Sequence, residues 1–184
     1  MPVARYNVPT SAGSNVPEWI RKCATIINNH MRFYRDKGII KLHVDNTSVG
    51  NVGTGEDDLI TYDMDANTLG VDGSGIRITA WGSAPNNANN KALKLYFGAT
   101  AIVDVDLTNN QVGIWKMSAT VWRTGSSTQD YESQFIEFGT AAQNELAHGT
   151  ATVDDSSIIT IKCTGTGTDN NDIVQAGLLV EFLP

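Results

Sequence analysis

The chain has 184 residues, 41% of them hydrophobic, with 13 Lys and Arg against 20 Asp and Glu and a formal net charge of −7 at pH 7. That length supports one domain plus an attachment, and a compact domain of this size buries about 70% of its unfolded surface, so no disulfide or metal staple is required. Abundant Gly, Thr, Asn and Asp with modest Lys, Glu and Arg favours short strands and turns over helices, and the acidic balance disfavours nucleic acid as a partner.

The N-terminus, Met1-Pro2-Val3-Ala4-Arg5-Tyr6, lacks the basic start, apolar stretch and cleavage site of a secretory signal. Apolar runs extend only a few residues, which excludes a membrane-spanning helix. Residues 1–14 read as an extended arm ordered by a partner. A helix is then expected over residues 15–37: Asn15 and Glu18 have capping-box spacing, Pro17 falls in the first turn, and Gly38 follows Lys37 as a stop. Trp19, Cys23, Ile26, His30 and Phe33 form one stripe, and Ile20, Ala24, Ile27, Met31 and Tyr34 a second beside it. Such a short helix is marginal alone and needs a cover. Trp19, Ile20, Ile26, Ile27 and Phe33 are therefore the expected attachment surface, and His30, without a second ligand at metal spacing, is a packed histidine.

Charge divides the chain at the same place. Residues 1–45 hold seven basic and three acidic side chains, and the remainder six and seventeen. We therefore expect an arm and helix over residues 1–40, serving attachment or oligomerisation, and a β-sandwich over residues 41–184. A first strand runs from Ile39 to Val44. Further strands are predicted at Asp58 to Met64, Gly75 to Trp81, Lys91 to Phe97, Thr100 to Asp106, Val112 to Thr124, Gln129 to Phe138, Ser157 to Thr164 and Asp172 to Phe182, with Gly- and Asn-rich turns between them. The fold class is all-β, a jelly-roll-like antiparallel sandwich with a short N-terminal α-helix.

Alternation assigns the faces. Ile76, Ile78 and Ala80, then Leu93, Leu95 and Phe97, then Trp115, Met117, Ala119 and Val121 point inward; Ile159, Ile161 and Val180 join them in the core. The outward positions include Arg77, Trp81, Lys94, Tyr96 and Trp122, aromatics and cations among polar neighbours. These five are the candidate ligand or subunit-interface residues, with an interface expected on one face carrying Trp81, Tyr96 and Trp122.

Chemistry with a sequence signature is absent. His30, His43 and His148 fall in different elements, no serine has a nucleophile-elbow context, and no phosphate-binding loop occurs. Asp63-Met64-Asp65-Ala66-Asn67 opens like a calcium loop but has Thr68 and Ser74 where Gly and Glu are needed. Asp104 and Asp106 read as solvated edge carboxylates. Asp57, Asp58, Glu132 and Glu137 could act in glycoside cleavage only if they converge in space. Cys23 and Cys163 read as buried free thiols. The expectation is a protein that is no enzyme, with no catalytic residues, cofactor or metal.

The stretches Thr54-Gly55-Glu56-Asp57-Asp58-Leu59, Arg77-Ile78-Thr79-Ala80-Trp81-Gly82, Asn86-Asn87-Ala88-Asn89-Asn90-Lys91 with Leu95-Tyr96-Phe97-Gly98, and Gly167-Thr168-Asp169-Asn170-Asn171-Asp172-Ile173-Val174 through Val180-Glu181-Phe182-Leu183-Pro184 carry a resemblance. Over residues 52–184 the chain resembles a β-sandwich module of bacteriophage tail-fibre or head-fibre proteins. The resemblance implies a virion protein assembled in the host bacterial cytoplasm, homotrimeric, a fibre or spike component with a receptor-binding role, or a capsid decoration protein. Other virion proteins would be met through the N-terminal segment, with a cell-surface glycan as candidate ligand and neither nucleic acid nor membrane as partner. The alternative from another class is a stand-alone carbohydrate-binding module using Trp81, Tyr96 or Trp122 to stack on sugars.

Overall fold

The computed structural model describes Glu18, Ile20, Lys22, Cys23 and Thr25 and residues 38–107, 113–139 and 143–184. The five isolated positions are helical, and Glu18 and Lys22 pair at 3.1 Å across one turn. Trp19, Ile26, Ile27 and Phe33 of the expected attachment surface, and His30, lie outside the described residues; Ile20 is half-buried. Cys23 is exposed, contrary to expectation, because the described strands leave that turn of helix uncovered.

Eleven strands follow: β1 (Ile40–Asp45), β2 (Val49–Gly50), β3 (Gly55–Met64), β4 (Gly75–Ala84), β5 (Lys91–Phe97), β6 (Thr100–Leu107), β7 (Gly113–Gly125), β8 (Thr128–Gly139), β9 (Asn144–Ala151), β10 (Ile159–Gly167) and β11 (Val174–Leu183). They pair antiparallel into a seven-stranded sheet, ordered β1-β11-β4-β7-β8-β9 with β2 also on β11, and a four-stranded sheet, ordered β3-β10-β5-β6. The chain crosses repeatedly between the layers, closing a sandwich.

The strands form where period-two apolar residues can face a second sheet. Ile76 and Ile78 of β4, Met117 of β7 and Val180 of β11 come from the larger sheet; Leu93 and Leu95 of β5 and Ile159 and Ile161 of β10 come from the smaller. All are at most 2% exposed, as is Trp115. The β5–β6 hairpin closes through Gly98, whose φ of +59° suits a residue without Cβ.

β9 has no counterpart among the predicted strands. Its Asn-Glu-Leu-Ala-His-Gly-Thr-Ala lacks apolar alternation because it is an edge strand. Eight consecutive pairings with β8, from Gln129↔Ala151 to Ile136↔Asn144, hold it by backbone bonds instead of burial.

Buried polar groups tie the layers together. Gln175, beside a bulge in β11, accepts from Ile60 N of the opposite sheet at 2.9 Å and donates to Gly177 O at 3.2 Å. Ser133 of β8 donates to Ile102 O of β6 at 2.5 Å. The Cys163 thiol is buried, and burial pushes its pKa up. Glu137, 1% exposed, points inward from β8 with both carboxylate oxygens free of hydrogen bonds. Burial raises its pKa, and the Lys91 ammonium partly opposes that shift. Lys91 itself is anchored by Asn87 Oδ1 at 2.5 Å and Asn89 O at 3.1 Å.

Two stability predictions follow from this interior. Leu95→Ala removes a fully buried side chain facing the opposite sheet and should cost about 2–5 kcal/mol in denaturant unfolding; a loss under about 1 kcal/mol would show that Leu95 is not a core residue. Glu137 binds its proton more tightly folded than unfolded, so wild-type stability should fall as pH rises through the raised folded pKa and then level off. Glu137→Gln removes that proton linkage, so its stability relative to wild type should increase across the same window; pH-independent parallel curves would contradict it.

Candidate functional site

The outer face of the larger sheet is built from cross-strand rows. One row runs Lys41, Glu181, Arg77, Thr120, Glu132, His148 across β1, β11, β4, β7, β8 and β9. The next runs Leu179, Thr79, Ser118, Gln134, Leu146, and a third places Lys116 between Trp81 and Ile136. Short hydroxyl side chains at the middle and longer ones around them leave a depression of about 570 Å³, lined by Arg77, Thr79, Lys116, Ser118, Thr120, Glu132, Gln134, Leu146 and His148, among others. That volume is within the range of small-molecule sites.

The two outer tryptophans flank this trough. Trp81 lies over Gly177 of β11, where any Cβ would collide with its ring, and Trp122 lies against Gly75 of β4, with Cδ1 3.0 Å from the position a Cβ would take. Trp122 is six positions along β7 from Lys116, which is beside Trp81, roughly 20 Å of strand. Trp122 is 36% exposed and Trp81 half-buried. Each ring therefore lies against its own sheet while keeping exposed surface.

Of the five candidate residues, Arg77, Trp81 and Trp122 share this face. Tyr96 and Lys94 do not. They lie on β5 in the other sheet and point outward on the opposite side of the sandwich. No single face of the domain therefore carries Trp81, Tyr96 and Trp122: alternation distinguishes inside from outside but does not assign a strand to a sheet.

The smaller sheet's outer face is closed by its own side chains. Tyr96 Oη donates to Glu56 Oε1 at 3.0 Å, and Thr164 Oγ1 donates to the same oxygen at 2.7 Å. Lys94 pairs with Asp104 at 3.2 Å and Lys162 with Asp58 at 2.6 Å, and Lys162 Nζ lies 5.5 Å from the Tyr96 ring centre. The bond from Thr164, followed by lesser contributions from Tyr96 and the lysines, holds the Glu56 carboxyl below its usual range against a raising effect of burial. The hydrogen bond and charge of Asp104 raise the Lys94 pKa.

The carboxylates considered for hydrolysis do not converge. Asp57 and Asp58 lie on β3 of the smaller sheet, Glu132 lies on the trough face and Glu137 is in the interior. Among the described residues no group of three or more His, Cys, Asp or Glu is arranged to hold a metal ion. The segment resembling a calcium loop is a turn, with Asn67 at φ +62° and Thr68 Oγ1 donating to Asp65 O at 2.7 Å.

Asp172, which alternation did not single out, organises one end of the sandwich. Burial pushes its pKa up, but bonds from Asp169 N, Asn87, Thr168 N and Asn89 outweigh that and hold it at about 2. With Asn51, which donates to Asp169 O at 3.0 Å and accepts from Ile173 N at 2.8 Å, it fixes the loop before β11. That makes Asp172 a structural residue.

No family model matches the chain, and no curated protein matches it. Among solved structures the chain is similar to the CBM2 module of the Lactobacillus casei BL23 phage J-1 evolved Dit, at 8% identity and a TM-score of 0.38, over 79% of this chain and 96% of that one. It is also similar to peanut lectin solved with a 9mer peptide, at 7% identity and a TM-score of 0.32, over 78% of this chain and 90% of that one.

Proposed function

We propose that the chain is a non-catalytic glycan-recognition domain of a bacteriophage particle, a fibre or spike component whose larger sheet meets saccharides of the host surface. The observation that carries the recognition role is the trough of about 570 Å³ with Thr79, Ser118 and Thr120 in its middle and Arg77, Glu132, Gln134 and His148 around them. Hydroxyl, amide and charged groups on a rigid sheet suit the hydroxyls of a sugar, and the partly exposed Trp81 and Trp122 offer apolar rings for its C–H faces. The virion setting is supported by the sequence resemblance over residues 52–184. Attachment through residues 1–40 and homotrimeric assembly belong to the same proposal and rest on that resemblance and the charge break.

Two experiments test it. On an array of bacterial surface glycans the full chain should bind a subset, and Ser118→Trp, which fills the trough from an outward position, should abolish that binding without lowering the melting temperature. Tyr96→Phe, on the opposite face, should leave it intact. Absence of binding by the wild type, or wild-type binding by Ser118→Trp, would contradict the assignment. Sedimentation of the full chain at micromolar concentration should give a trimer; a monomer would remove the assembly part of the proposal.

A further inference from the structure

The basic side chains of residues 46–184 are few, six against seventeen acidic ones, and their partners differ in kind. Arg123 is clamped by Asp72 and Asp155, Lys94 by Asp104 and Lys162 by Asp58, while Lys91 is buried on asparagine oxygens. Arg77 reaches Glu181 only at 3.7 Å, with 44% of its side chain exposed. Lys116 has no ion pair among the described residues. Both loosely held cations line the trough, and the other ionisable groups lining it are Glu132 and His148.

We propose that the trough selects saccharides bearing anionic groups, carboxylate or phosphate, which Lys116 and Arg77 engage. The inference rests on the glycan-recognition proposal above and names the ligand class for that site. Lys116 stands in the row between Trp81 and Ile136 and is exposed, within reach of a ligand in the trough. An arriving anion competes only with the long Glu181 contact at Arg77 and with nothing at Lys116, so little existing interaction is lost on binding. The acidic domain around the site opposes dense polyanions. Screening over about 8 Å at physiological salt limits that repulsion to near neighbours.

The test is isothermal titration of the full chain with three probes of equal length: a neutral malto-oligosaccharide, an oligogalacturonate and a glycerol-phosphate oligomer. An anionic probe should bind more tightly than the neutral one and weaken as salt rises. Lys116→Gln should lower its affinity about ten-fold, and Lys116→Arg should retain most of it. Preference for the oligogalacturonate identifies carboxylate as the recognised group, and preference for the glycerol-phosphate oligomer identifies phosphate. Equal or tighter binding of the neutral probe, unaffected by Lys116→Gln, overturns the anion inference and leaves the glycan assignment standing. Binding of none of the probes, together with a blank glycan array, overturns both.

Discussion

Cross-strand pairing of large aromatics with glycine is the constraint on which both sides of the larger sheet depend. Trp115 lies across Gly82 in the core, Trp81 across Gly177 and Trp122 across Gly75 on the outside, and Tyr131 covers Gly149 at the β8–β9 edge. An indole lying along a sheet requires a neighbour with no side chain, and the glycine gains the cover it cannot provide for itself. Gly82 is the least tolerant partner, since a Cβ there would meet both the Trp115 ring and the backbone oxygen of Val174. The trough lies in the rows between those that carry Trp81 and Trp122, where the short Thr79, Ser118 and Thr120 keep the middle of the face low.

The two outer faces have opposite characters for an electrostatic reason. On the smaller sheet Glu56, Tyr96, Thr164, Lys94, Asp104, Lys162 and Asp58 form bonds to one another across β3, β10, β5 and β6. A ligand there would have to break contacts already made. On the outer face of the larger sheet the polar side chains are spread along rows and Arg77 and Lys116 are loosely engaged, so a ligand adds interactions at smaller cost. Trp81 and Trp122 therefore remain candidates for sugar contact, whereas Tyr96 and Lys94 form part of a closed surface.

Much of the fold was legible in the sequence because burial in a two-layer sandwich imposes a strict period of two. Ile76, Ile78, Leu93, Leu95, Trp115 and Met117 could be assigned inward from alternation alone, and β5 was bounded to the residue. What alternation does not encode is which sheet a strand joins, so Trp81 and Tyr96 looked alike in sequence and lie on opposite sides of the molecule. β9 escaped because an edge strand held by backbone pairing needs no apolar alternation. The trough residues Thr79, Ser118, Thr120, Gln134 and His148 carry no individual signal. They become a site only when the register of β4, β7, β8 and β9 aligns them, and the glycine partners of the tryptophans are hidden by the same dependence on register.

The central claim is that recognition belongs to the outer face of the larger sheet, and residue-resolved NMR tests it most directly. In an amide spectrum of the labelled full chain, titrated with a saccharide that it binds, shifts should concentrate at Arg77, Thr79, Lys116, Ser118, Thr120 and Gln134 and at the Trp81 and Trp122 indoles. Shifts centred instead on Lys94, Tyr96 and Lys162 would place recognition on the opposite sheet and contradict the claim.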